Sequence, residues 1–345
     1  MKALYTAAPG EFGLVDRPRP TPGPGDAVIA VTRASICHTD VTIRSGRAGH
    51  VRYPVIPGHE FCGVIEEIGA AVPRLSPGQA VVVETVLACG LCPPCRRGHT
   101  NWCEAYDELG SISDGGFAQF CLVPARHLLP LPAGVSSTAA AMVEPLANAI
   151  AAVTQAGVGP GDRVMVIGPG PIGLLALQVA RLRGAAVLLL AGTRDARLKL
   201  GSRLGATHVV NVLAPDADAQ IGQVLEGKGA DAIIECAGNP KAMSLALRHV
   251  GILGRIAVEG VYDVEEMVSF SPYRSLLQRS ARLLGVSGWN SSNFIEALEL
   301  LSRGRVDAES LVTHTFSLDD WEEAFAMATV RKDEAMKVQF DLSAT

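Results

Sequence analysis

Along the first 130 residues, hydrophobic and polar positions alternate in short bursts such as Ala27-Val28-Ile29-Ala30-Val31 and Gln79-Ala80-Val81-Val82-Val83, each broken by Pro or Gly. This pattern predicts irregular, β-rich structure. The texture changes at Ser136. From Ser137-Thr138-Ala139-Ala140-Ala141-Met142 through Val153 the chain keeps helical spacing behind a Ser/Thr start, which predicts one long Ala-rich helix. Between Arg163 and about Leu284, near-continuous apolar runs (164–167, 187–190, 208–210, 232–234, 255–258) alternate with amphipathic helical stretches. Strands of that kind are buried on both faces, as a parallel sheet covered by helices requires. After Gly285, a helix over 293–302, a strand over 311–314, a helix over 319–327 and a closing strand over 337–340 suit a return to the first domain. The expected fold class is α/β: a doubly wound, Rossmann-type parallel sheet domain joined to a β-rich domain. The expected boundaries are 1–148, 149–286 and 287–345.

Composition sharpens this picture in three respects. A chain of 345 residues exceeds the usual size of a single core, and its 48% hydrophobic and 19% charged content is ample for two folded domains. A net charge of -5, with only the Arg96-Arg97 pair as a basic cluster, argues against nucleic acid as a partner. The start Met1-Lys2-Ala3-Leu4 lacks a signal-peptide core and no apolar run reaches membrane-span length, so a cytoplasmic chain without membrane attachment is expected.

The run Gly168-Pro169-Gly170-Pro171-Ile172-Gly173 follows one predicted strand and opens a predicted helix, the context of a dinucleotide-binding turn. Gly168 permits the tight turn, Gly170 lets backbone N–H groups approach a pyrophosphate, and Gly173 lets helix and sheet pack closely. An acid about 20 residues on would accept a hydrogen bond from the ribose of NAD, but that position is best matched by Gly192 in Ala191-Gly192-Thr193-Arg194-Asp195. Thr193 and Arg194, with Arg197 as a further candidate, could hold a 2′-phosphate, so NADP is favoured over NAD. The alternative makes Asp195 the ribose acid and Arg194 a solvated surface residue.

Four of the eight cysteines, Cys89, Cys92, Cys95 and Cys103, have the spacing C-x2-C-x2-C-x7-C, short enough for four thiolates to surround one zinc. A closed four-thiolate site leaves no position for substrate, which points to a structural role; an iron–sulfur cluster and free buried thiols are the competing readings. Elsewhere, Cys37-His38-Thr39-Asp40 and Gly58-His59-Glu60 offer a thiolate and an imidazole, both ligands that zinc prefers. Glu144 is a candidate third ligand.

The stretch from Gly58 through Gly63 and Gly69 to Val72 fits G-H-E-x2-G-x5-G-x2-V at every defined position. By this signature, with the cysteine lobe and glycine turn in the same order, the chain resembles the zinc-dependent medium-chain alcohol dehydrogenases over essentially its whole length. Glu144-Pro145-Leu146-Ala147 is similar to the segment that polyol and threonine dehydrogenases carry beside their catalytic zinc. The resemblance implies a GroES-like catalytic domain with one catalytic and one structural zinc. Cys37 and His59 would bind the catalytic metal, Glu60 directly or in exchange with water, and Glu144 would complete the site. Thr39 would relay the alcohol proton, Asp40 would orient His59, and His38 would lie near the cofactor pyrophosphate. The implied reaction moves a hydride between a secondary alcohol, diol or polyol and NAD(P), in a homodimer or homotetramer. Sorbitol dehydrogenases carry an Arg-Tyr pair where this chain has Ser287-Gly288-Trp289-Asn290, and a Tyr where it has Ile43, which leaves a less polar pocket. An L-threonine 3-dehydrogenase activity and a zinc-free quinone or enoyl reductase are the alternatives.

Overall fold

The structure, a computed structural model, describes residues 1–49, 51–263, 265–330 and 335–343. It divides the chain into two compact units, Met1–Glu144 with Asn290–Thr345, and Pro145–Trp289. In the first unit, Lys2–Ala8 (β1) and Glu11–Asp16 (β2) form an antiparallel pair. Asp26–Ser35 (β3) pairs with Phe61–Ile68 (β4), which continues to Ala80–Val83 (β5); Phe120–Pro124 (β6) also lies on β3, and Leu128–Pro130 (β7) on β5. Alternation along these strands sends Ala27, Ile29 and Val31 into a core with Phe117, Phe325 and Phe340.

The second unit is a six-stranded sheet built from Arg163–Ile167 (β8), Val187–Gly192 (β9), His208–Asn211 (β10), Ala230–Glu235 (β11), Val250–Val258 (β12) and Arg282–Gly285 (β13). Its order is β10-β9-β8-β11-β12-β13 and every pairing is parallel. The order reverses direction between β8 and β11, the switch point at which doubly wound sheets place ligands. The apolar runs of β8, β9 and β11 are buried, apart from half-buried Val187 at the start of β9, as the uninterrupted hydrophobic patterning predicts.

The tail strands Val312–Phe316 (β14) and Lys337–Asp341 (β15) rejoin the first unit, where β15 pairs antiparallel with β3 and places Gln339 opposite Ser35. The single helix expected from Ser137 through Val153 is corrected to two, Ser137–Ala140 and Val143–Gln155. Pro145 is the reason. A proline has no N–H and its ring clashes with the carbonyl four residues back, so it is tolerated only in the first turn of a helix. That carbonyl belongs to Ala141, and it accepts instead from the Ser35 hydroxyl at 3.1 Å.

Candidate metal and cofactor sites

Three segments of the first unit converge through sheet pairing. The Ser35 N–H donates to the Glu60 carbonyl (2.8 Å) and the Ile36 N–H to the Val338 carbonyl (2.9 Å), so the β3–β15 register, carried one residue further, sets Lys337 opposite Cys37. Cys37 caps the helix His38–Arg44, and Asp40, in its first turn, reaches back to accept the Cys37 N–H at 2.8 Å. The other Asp40 oxygen accepts the Gly58 N–H at 3.2 Å. One fully buried carboxylate thus fastens the turn carrying Cys37 to the turn carrying His59. Its distance to the His59 Nδ1 is 3.6 Å, too long for a good hydrogen bond, so the observed contacts of Asp40 hold backbone more firmly than ring. Gly58 has a φ of +95°, and a Cβ there would lie 2.5 Å from the Phe117 ring, so only glycine fits before His59.

One ligand atom each from Cys37, His59 and Glu60 lie within 4.8 Å of one another. Two donors each 2.0–2.3 Å from a shared zinc are at most about 4.6 Å apart, so the set fits that ion with little adjustment. Glu144 lies outside this group, in the first turn of the helix Val143–Gln155, but its charge acts on both His59 and Lys337. Thr39 is adjacent, its hydroxyl 3.7 Å from the Cys37 Sγ, and His38 is exposed at the start of the same helix. Ile43 is fully buried in that helix and Trp289 is buried in the second unit.

The Lys337 Nζ donates to Glu60 Oε1 at 2.6 Å and also contacts Oε2, in an ion pair with both side chains buried. No feature of the Lys337-Val338-Gln339-Phe340 run marks this role, since a lysine opening an apolar strand reads as a solvated end. Burial works against the protonated form of His59, yet the negative groups of Asp40, Cys37 and Glu144 outweigh it and hold its pKa well above the ordinary value. Lys337 follows the same pattern: burial opposes its charge, and Glu60, Cys37 and Glu144 more than compensate. The Asp40 pKa is raised, first by burial, against the pull of His59 and the Cys37 N–H. The acidic groups and thiol around this pocket thus favour positive charge, in keeping with a sulfur, imidazole and carboxylate donor set for a divalent ion.

The sulfurs of Cys89, Cys92, Cys95 and Cys103 also lie within 4.8 Å of one another. Backbone N–H groups of Leu91 and Cys92 each donate to the Cys89 Sγ at 3.4 Å, and these bonds lower its pKa to about 6. Burial instead pushes Cys95 up to about 12. The hydrophobic cluster of this lobe consists of Ala88 and the four cysteines themselves. Such a lobe has little apolar burial of its own to hold it, so four thiolates around a zinc ion fit it well.

In the second unit, Gly168 follows β8 and Gly170 caps the helix Pro171–Leu182, with Pro171 at its first position. A Cβ on Gly173 would lie 2.0 Å from the Gly168 carbonyl oxygen, so close helix–strand approach demands glycine. Ile172 follows Pro171 in the same first turn. At the end of β9, a Cβ on Gly192 would come 2.3 Å from the Pro169 ring. That contact explains why no acid stands there. Thr193 and Arg194 are exposed and Arg197 is buried; Asp195, the first residue of the next helix, accepts from the Asn211 side chain at 2.7 Å.

A β-rich unit with a Cys-His-Glu cage and a four-cysteine lobe, joined to a parallel sheet with a glycine turn, defines a zinc-binding, nucleotide-linked dehydrogenase. Residues 23–133 match the alcohol dehydrogenase GroES-like domain and residues 171–303 the zinc-binding dehydrogenase family. The chain is 33% identical to a sorbitol dehydrogenase of Halalkalibacterium halodurans, over 98% of each chain. It is 32% identical to an L-threonine 3-dehydrogenase of Pyrococcus horikoshii, over 99% of each. Its fold superposes with a TM-score of 0.92, at 30% identity, on a protein from Sinorhizobium meliloti 1021 described as a zinc-binding dehydrogenase and bound to NADP, covering 99% of this chain and 98% of that one. The chain belongs to the zinc-dependent medium-chain alcohol dehydrogenase family and is an NAD(P)-dependent oxidoreductase. Among the described residues no helix is long and apolar enough to cross a membrane.

Proposed function

We propose that this enzyme oxidises a secondary alcohol, diol or polyol to the ketone or aldehyde, passing hydride to NADP in preference to NAD. The observation that carries the reading is the grouping of Cys37, His59 and Glu60 donor atoms within 4.8 Å. When bound, zinc supplies Lewis acidity toward an alcohol oxygen, and the nicotinamide accepts the hydride. Cys37 and His59 would hold the metal, Glu60 directly or in exchange with water, and Glu144 would complete the site. Thr39 would accept the substrate hydroxyl proton at Oγ1 while its own hydroxyl proton passes to water. Asp40 keeps the two ligand turns in register, and Lys337 fixes the position of the Glu60 carboxylate by direct contact. Cys89, Cys92, Cys95 and Cys103 hold a second, structural zinc. The cofactor pyrophosphate would rest on the N–H groups of Gly170, Ile172 and Gly173 at the helix start, with Pro171, which has no N–H, contributing shape only. The glycine at position 192 and the engagement of Asp195 with Asn211 support Thr193 and Arg194, with Arg197 beyond them, as the 2′-phosphate side.

We infer a homodimer or homotetramer, supported by an edge strand, β13, whose Leu283 is exposed, and by exposed Ile252 and Leu253 at β12. Sedimentation velocity tests it. The function is tested by assaying alcohols, diols, polyols and L-threonine with NAD and NADP, following reduced nicotinamide. Cys37→Ser and His59→Ala should remove turnover and the metal of that site while the far-ultraviolet circular dichroism stays unchanged. Full turnover in either variant would reject the assignment, and L-threonine as the best substrate would replace the polyol reading.

A further inference from the structure

The second unit carries a fully buried carboxylate far in sequence from the metal ligands. Glu235 ends β11 with no exposed surface. Its Oε1 accepts the N–H groups of Ala237 (2.7 Å) and Gly238 (3.0 Å), and its Oε2 accepts the Tyr262 hydroxyl (2.9 Å). Its main-chain carbonyl accepts the N–H groups of Glu259 (2.9 Å) and Gly260 (2.8 Å). Five donors, from the turns that follow β11 and β12, thus converge on one residue. The turns touch: a Cβ on Gly260 would lie 2.2 Å from the Gly238 nitrogen and 2.8 Å from Glu235 Oε2. They also abut the glycine turn, where a Cβ on Gly168 would lie 2.9 Å from the Ala237 nitrogen and the Cys236 N–H donates to the Ile167 carbonyl at 2.8 Å.

A buried carboxylate is costly to hold at a strand end that an apolar residue could fill, and burial raises its pKa here against the three donors. Its contacts all serve the carboxyl ends of adjacent parallel strands, where such sheets bind ligands. With the pyrophosphate on the turn after β8 and the adenosine ribose at the end of β9, the sheet order β9-β8-β11-β12 leaves the nicotinamide half over the β11 and β12 turns. We propose that Glu235 is a positioning residue for the nicotinamide half of the cofactor, acting through the turns 236–239 and 259–262 that it ties to the glycine turn. The proposal rests on the dinucleotide reading of that turn.

The experiment measures binding of NADPH and NADH, by fluorescence, and of 5′-AMP, by competition, to the zinc-loaded enzyme and to Glu235→Leu, Glu235→Gln and Gly260→Ala. Glu235→Leu should raise both dinucleotide dissociation constants by about tenfold or more, the scale of one lost charge-assisted hydrogen bond, with the NADPH to NADH ratio unchanged. The 5′-AMP constant should stay within about twofold, because the adenosine half lies on β8 and β9, and KM for the cofactor should rise more than kcat falls. Glu235→Gln keeps an acceptor for Ala237 and Gly238 and should recover binding to within about threefold. Gly260→Ala, which leaves the acid in place and forces the two turns apart, should act like Glu235→Leu and carries the test if that variant does not fold. Unchanged dinucleotide binding in either folded variant, or equal weakening of 5′-AMP and NADPH, overturns the positioning role. Absence of binding by the unmodified enzyme to any of the three ligands would instead overturn the cofactor reading itself.

Discussion

Replacing Lys337 by Met removes the only cation that touches the Glu60 carboxylate among the described contacts, at a buried place. The side chains of the pair are 6% and 2% exposed, whereas the surface pair Lys228–Glu226 is 66% and 62% exposed. Truncating one partner of a buried pair costs about 3–5 kcal/mol because the remaining charge is stranded, and an exposed pair contributes about 0–1 kcal/mol. For a unit of this size, each kcal/mol lowers the midpoint of thermal unfolding by about 2–4 °C, so Lys337→Met should lower it by about 6–20 °C. Lys228→Met should change it by a few degrees at most. The assay is thermal unfolding of metal-stripped protein followed by tryptophan emission, in which Trp321, packed edge-on against Phe12 and Phe325, reports on the first unit, and buried Trp289 on the second, where Lys228 lies. Lys337→Met with Glu60→Gln should recover most of the loss, and zinc loading should shrink it, since a dication beside Glu60 replaces the ammonium. A single variant as stable as the parent, or a double variant no better than the single, would refute the stranded-charge argument.

Further outcomes follow from the other sites. If the four thiols hold zinc as proposed, Cys89→Ser or treatment with a chelator should speed proteolysis within residues 89–103 well before it alters cleavage of the second unit, as mapped by mass spectrometry. Gly192→Asp, introduced to favour NAD, should destabilise the second unit because its Cβ meets Pro169 at 2.3 Å, and pairing it with Pro169→Ala should relieve the clash; unfolding midpoints and the NAD to NADP ratio of kcat/KM check both. Arg163 holds the Asp231 carboxyl below its ordinary value of 3.8, chiefly through hydrogen bonding. That contribution to stability is complete above 3.8 and fades as pH falls through the lower folded value, so Asp231→Asn should flatten the acid limb of the second unit's stability profile.

What the sequence disclosed depended on how locally each feature is encoded. The glycine turn lies within six residues and the four cysteines within fifteen, and the structure brings the four sulfurs within 4.8 Å of one another. Cys37, His59 and Glu60 were singled out by residue type and signature, and the structure groups them, but the buried lysine beside them was not. Lys337 reaches Glu60 across 277 residues through the β3–β15 register, which no local pattern carries. Asp40 was expected to orient the imidazole, and its shorter contacts prove to be with the backbone of Cys37 and Gly58. The helix through residues 137–153 was over-read because alanine spacing was weighed above Pro145, whose ring forbids the turn preceding it. Glu235 was unmarked as well, since an acid closing an apolar strand gives no sign of the five donors that later turns bring to it.

The Asp40 clamp has a consequence for how metal enters. Because the clamp consists wholly of protein atoms, the two turns lose their freedom as the chain folds, and an incoming ion finds ligands whose entropy is already spent. The cysteine lobe, whose hydrophobic cluster is Ala88 and the four cysteines, should instead have its ordering coupled to ion binding. The two centres should therefore differ in kinetics: fast exchange with little backbone response at Cys37 and His59, and slow release, limited by local unravelling, at the four thiolates.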